Sequence, residues 1–213
     1  MYELLMSIKN DYKNIIGKKS IEALEYYIFG YYQGVKEIKD ATFFERFLHR
    51  LQNKYHVYSY YNWKHIILWQ SGLSDELAFN NFYDELDEFM NSDVPKLEIT
   101  DGRNETIYKL LYFNRLRPIL IVGSENKLYR LYHLIHGYES VSNNSDINGI
   151  HFSLQFQKWI ENKYSVKTGQ DWYRIINFYS EIEEEAIKNL YELLNEFLIE
   201  TTGKNLEENA RLE

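Results

Sequence analysis

The residues best suited to chemistry are six histidines, His49, His56, His65, His133, His136 and His151. His133 and His136 stand one helical turn apart, a spacing at which two imidazoles can share a zinc ion. Gly17 to Ser20 places one glycine and two lysines ahead of a helical pattern, where free backbone amides could hold an anion. There is no HExxH, no serine or cysteine nucleophile in a glycine elbow and no P-loop glycine pattern. Cysteine is absent altogether, which removes disulfides and thiolate metal sites.

An internal repeat weakens both candidates. Laid without a gap, Phe43–Ile67 and Phe152–Ile176 share nine identities in 25 positions. They are Phe43/Phe152, Phe47/Phe156, Asn53/Asn162, Lys54/Lys163, Tyr55/Tyr164, Val57/Val166, Trp63/Trp172, Ile66/Ile175 and Ile67/Ile176. Upstream, Tyr2, Leu4, Leu5 and Gly17 fall on Tyr108, Leu110, Leu111 and Gly123. After a slip of one, Leu24, Ile28, Gly30 and Tyr31 fall on Leu131, Ile135, Gly137 and Tyr138. Downstream, Glu76, Ala78, Asn81, Tyr83, Leu86, Glu88 and Phe89 fall on Glu184, Ala186, Asn189, Tyr191, Leu194, Glu196 and Phe197. No histidine is matched by a histidine, and Tyr26 and Phe29 stand where His133 and His136 do, so these read as packing positions. Gly123, Ser124, Glu125 and Asn126 replace the lysine-bearing Gly17–Ser20, which favours a capped helix start over a phosphate site.

The elements that must position these residues are helical. Ile21, Leu24, Ile28, Tyr31 and Val35 recur at threes and fours, as do Phe43, Phe47, Leu51 and Tyr55. A shorter helix carries Trp63, Ile66 and Ile67, and a last one runs from about Ser74 to Met90 with Ala78, Phe82, Leu86 and Phe89 inward. Ser180 and Glu183 have capping-box spacing for the matching helix. Gly30 and Gly137 interrupt helical patterns and predict a close helix crossing. The polar pairs Asn53–Lys54 and Asn162–Lys163 suit the end of the third helix or a partner's surface. The expected fold is all-α: two tandem repeats of a module of about five helices, related by an approximate two-fold. Their bounds are 1–90 and 106–200, with a linker at 91–105 carrying Pro95, Asp101 and Gly102, and a tail at 201–213.

The chain is 45% hydrophobic and 26% charged, an ordinary soluble composition, yet 17% aromatic with 20 tyrosines, which suits a binding surface as well as a core. No run is long and apolar enough for a membrane span and the first ten residues lack the pattern of an export signal, so a cytoplasmic location is expected. Charge is uneven. Residues 71–105 hold ten acids against two bases and 180–213 hold ten against three, so the remainder, within a total of −8, carries +7. An inward Phe82–Phe89 face turns Asp84, Asp87 and Glu88 outward, with Glu192 and Glu196 in the second copy. Like charges at this spacing weaken a helix, so they suggest a face that attracts a basic partner. The net charge disfavours direct nucleic-acid binding. A solvated face balanced by the chain's own basic remainder is the plainer alternative.

Gly17, Ser20, Ile21, Leu24, Ile28, Gly30 and Tyr31 resemble the YLGxxSIxxLxxFIxGY opening of small helical immunity proteins encoded beside bacterial polymorphic toxins, including those of contact-dependent inhibition systems. That family continues with FxxFxxWIxxKY, a Trp before paired isoleucines, and an acidic EAFxxFFELLxEF helix. Here these are Phe152, Phe156, Trp159, Ile160, Lys163, Tyr164, Trp172, Ile175, Ile176, Glu185, Ala186, Tyr191, Leu194 and Phe197. The family's RPxxYxG survives as Arg117, Pro118 and Gly123, with Ile121 at the Tyr place; the first copy lacks both the Arg and the Pro. The resemblance implies a non-enzymatic protein, without metal or cofactor, that binds a cognate toxin domain and occludes its active site. The charge reading adds that this domain would be basic, as a nuclease is. The expected contact residues are Asp84, Asp87, Glu88, Glu192 and Glu196, with Tyr83 and Tyr191 beside them. The alternatives are a regulatory or scaffold module with no toxin partner, and a hydrolase whose site is assembled between the repeats.

Overall fold

Helical spacing becomes helix wherever the sequence predicts it. The computed structural model describes residues 1–58, 60–92, 99–102, 105–141 and 151–211. Over these the fold is all-α apart from one ribbon. The order is α1 (Tyr2–Ile15), α2 (Ile21–Gly34), β1 (Glu37–Lys39), α3 (Phe43–Tyr55), α4 (Trp63–Gln70), α5 (Asp75–Ser92), β2 (Ile99–Asp101), α6 (Ile107–Leu116), α7 (Pro118–Val122), α8 (Lys127–Glu139), α9 (Phe152–Tyr164), α10 (Trp172–Phe178), α11 (Glu183–Thr202) and α12 (Leu206–Ala210). No helix among the described residues is long and apolar enough to cross a membrane.

Two compact units emerge: Met1–Glu25 with Lys36–Gly102, and Tyr26–Val35 with Arg103–Glu213. The sequence assigns 26–35 to the first repeat, but its contacts lie in the second unit, where α2 crosses α8. A Cβ on Gly30 would stand 1.9 Å from the Leu134 carbonyl oxygen, and one on Gly137 would stand 1.9 Å from that of Tyr27. Only glycine lets the two backbones approach this closely. The two glycines that the repeat aligns thus meet each other in one crossing.

In the first unit Phe47 sits at the centre of the core, with ring centroids 5.4 Å from Phe89, 5.6 Å from Phe82 and 6.4 Å from Trp63. In the second, Phe156 lies 5.3 Å from Phe197 and 5.6 Å from Trp172. Backbone irregularities recur at aligned positions. Helix α3 ends on left-handed His56 (φ 55) and α9 on left-handed Ser165 (φ 54). In the register that sets Gly17 on Gly123, Asp11 falls on Arg117, and both leave helical geometry (φ −131, ψ 37 and φ −141, ψ 63). At Arg117 the cause is Pro118, whose ring excludes the α region from the residue before it. Nothing in the structure explains the same kink at Asp11.

Three features depart from the sequence reading. Within the expected linker, β2 pairs antiparallel with β1, Ile38 opposite Thr100, so Asp101 ends a strand; Pro95 lies outside the described residues. The stretch read as a tail folds as α12 against α6, closed by an Asn205–Glu208 capping box and anchored by fully buried Leu206. Ser180 and Glu183 form no capping box, because α11 begins after Ile182. The Ser180 hydroxyl instead donates to the Ile176 carbonyl at 2.9 Å and accepts from Asn189 Nδ2 at 3.0 Å. Ser71 makes the same relay between Ile67 and Asn81, at 2.7 and 2.8 Å.

Candidate protein-binding surfaces

The acidic ridge is largely answered by the chain's own cations. The basic side of α3 faces the acidic side of α5: Lys54 Nζ donates to Glu85 Oε1 at 2.7 Å and Glu88 Oε2 at 2.8 Å, and Arg50 Nη2 donates to Glu88 at 3.0 Å. These cations hold the Glu88 carboxyl below its usual pKa, Lys54 foremost. Lys9 pairs with Asp87 at 3.2 Å, Lys163 with Glu196, and exposed Lys188 approaches Glu192 at 3.7 Å. Asp84 alone of the five expected contact acids has no partner among the described residues. The paired lysines Lys54 and Lys163 therefore tie α3 to α5 and α9 to α11. That is a fold-holding role, and the argument from charge to a basic partner fails for this ridge.

Tyr83 and Tyr191 are not surface residues. They are 2% and 6% exposed, and their hydroxyls donate inward, Tyr83 to the Leu5 carbonyl at 2.9 Å and Tyr191 to Asn114 Oδ1 at 2.5 Å. Desolvation raises the pKa of both phenols. The inward turn of α5 and α11 that buries Phe82 and Leu194 carries these rings into the core. Their expected place at a partner contact is withdrawn.

The histidines do not converge on a metal, and no cluster of three or more His, Asp or Glu that could hold one occurs among the described residues. His133 is buried between the Tyr129 and Tyr132 rings. His136 packs on Tyr132 with centroids 4.3 Å apart, and burial pushes its pKa down to about 4 against the opposing pull of Asp171. His65 bonds Asn62, while His49, His56 and His151 are exposed. The start of α2 is capped from within: the Ala23 amide donates to Ser20 Oγ at 3.1 Å and the Glu22 amide to Asp75 Oδ1 at 3.2 Å. In the second unit the Lys127 amide likewise donates to Glu183 Oε1 at 2.5 Å. A carboxylate from α5 in one unit and from α11 in the other thus occupies the place an anion would take.

The surface that stands out was missed by the sequence reading. Trp69 is 61% exposed at the end of α4, and Phe178, at the aligned position of α10, is 81% exposed. Two residues beyond Ser71 and Ser180 come Leu73 and Ile182, 71% and 62% exposed. Each corner therefore presents a large aromatic and a large aliphatic side chain to solvent, joined by Leu77 in the first unit and Tyr179 in the second. First-turn acids flank them: Asp75 and Glu76 on α5, Glu183, Glu184 and Glu185 on α11. The available signal was phase. Trp69 and Phe178 fall off the inward stripe of Trp63–Ile66–Ile67 and Trp172–Ile175–Ile176. No family model, curated protein or solved structure matches the chain.

Proposed function

We propose that this chain is a bacterial immunity protein: a doubled helical module, working in the cytoplasm without chemistry of its own, that binds a cognate toxin domain and occludes its active site. The observation that carries the reading is the pair of aligned, exposed apolar corners, Trp69 with Leu73 and Phe178 with Ile182. An apolar side chain left in water forgoes about 1.5–3 kcal/mol of burial, and large aromatics are the commonest anchors of protein interfaces. Two diverged sequences that keep such residues outward at the same corner are consistent with selection for contact. The resemblance to toxin-neighbouring immunity proteins supplies the kind of partner.

The test is co-expression with the C-terminal domain of the protein encoded by the adjacent gene, assayed first for toxicity on its own. The wild type should restore growth, and Trp69→Ser combined with Phe178→Ser should lose that protection while remaining folded. Undiminished protection by the folded double variant would overturn the corners as the contact. Failure of the well-expressed wild type to protect would overturn the neutralising role.

A further inference from the structure

One difference between the units points to a ligand. In the first unit Glu25, on α2, accepts from the Lys64 ammonium at 2.5 Å and from Asn62 Nδ2 at 2.6 Å, and Lys64 is buried. The chain plugs this place with its own cation. The repeat sets Tyr132, Asp171 and Tyr173 where Glu25, Asn62 and Lys64 stand. The second unit keeps a carboxylate there, now Asp171, which accepts from the Tyr132 hydroxyl at 2.8 Å; in place of the first unit's buried lysine, its cationic neighbour is the half-exposed Arg174.

A pocket of about 300 Å³ opens at that position, with Tyr132, His136, Gln157, Glu161, Asp171 and Trp172 among its walls and no lysine or arginine. Arg174 Nε stands 3.8 Å from Asp171 Oδ2 and donates at 2.9 Å to the Tyr173 hydroxyl. Gln170 borders this pocket and also a neighbouring, mainly apolar groove of about 420 Å³ walled by Val166, Thr168, Arg174, Ile175, Phe178 and Tyr179. Two carboxylates beside aromatic faces suit a guanidinium or ammonium, and the groove suits a large apolar side chain.

We propose that the second unit receives an arginine or lysine side chain of the bound protein in this carboxylate pocket, with an adjacent apolar side chain of the same segment seated against Phe178. The proposal rests on reading the chain as a protein-binding module, and it assigns the basic contact to the second unit.

The probe is N-acetyl-leucyl-arginine amide, titrated into the full chain with the tryptophan indoles followed by NMR; the control carries neutral citrulline in place of arginine. The Trp172 indole signal should shift saturably with the arginine probe and bind the citrulline probe at least about tenfold more weakly. Glu161→Gln should weaken the arginine probe by about tenfold with the spectrum otherwise unchanged. Tyr173→Lys, which supplies the first unit's lysine, should abolish binding. Equal binding of both probes, or no saturable shift with the arginine probe, overturns the pocket. In co-expression, Tyr173→Lys should lose protection; full protection would overturn the pocket as the contact and leave the neutralising role standing. If the wild type itself protects against nothing, that role falls, and the dipeptide titration still decides the pocket.

Discussion

Between the starts of α2 and α5 in the first unit, and between the starts of α8 and α11 in the second, lies an open crevice of about 540 Å³, and the two are lined differently. In the first unit Lys13, Lys18 and Lys19 face Asp75 and Glu76; in the second the charged walls are Glu125, Glu181 and Glu183. Underneath, the bonding is alike. Asp75 and Glu183 each take a backbone amide from the opposing helix start, and Ser71 and Ser180 each relay an asparagine to a helix carbonyl. Hydrogen bonds that hold elements together are shared, whereas the solvent-facing charge has diverged. A shared exposed apolar corner is therefore more informative about binding than an acidic ridge, because no packing demand keeps Trp69 or Phe178 outward.

The comparison breaks first at the core. Phe47→Ala and Phe156→Ala remove aligned, fully buried rings and should each cost about 3–5 kcal/mol in denaturant unfolding. A cost near zero for one of them would end the equivalence of the two cores. Gly137→Ala acts at the crossing of α2 and α8, because its methyl group would collide with the Tyr27 carbonyl. Prising α2 from α8 should cost about 3 kcal/mol, measured the same way, with hydrogen-exchange protection falling along α8. An unchanged midpoint would refute the close crossing.

The third contrast is in pH. His136 stands where the first repeat has Phe29, and its pKa is pushed down to about 4 from an ordinary 6.5. Between those values the unfolded chain binds a proton here that the folded chain refuses. Its contribution is thus fully present above pH 6.5 and lost as pH falls toward 4, by no more than about 3 kcal/mol. His136→Phe should flatten the melting-temperature profile between pH 6.5 and 4. A profile as steep as the wild type's would place the acid sensitivity elsewhere.

Much of the fold was legible because helical spacing is a local signal: Phe43, Phe47 and Leu51, or Ala78, Phe82 and Leu86, mark their buried faces without reference to the rest of the chain. What stayed hidden depends on distant partners. The pairing of Ile38 with Thr100 joins three-residue strands far apart in sequence, and the grouping of 26–35 with α8 depends on a crossing point. The acidic ridge was visible as composition, but its neutralisation by Arg50, Lys54 and Lys163 comes from helices lying side by side. Tyr83 and Tyr191 were misplaced because a tyrosine fits a core as readily as a surface when its hydroxyl finds an acceptor.

The proposed neutralisation of a toxin by binding is tested most directly by a titration. The purified chain is added to the proposed cognate toxin domain while that domain's own activity is followed. The account predicts a linear fall to zero at a simple molar ratio, with the Trp69→Ser, Phe178→Ser double variant failing to reach it. Full toxin activity in a large excess of folded wild-type chain would contradict it.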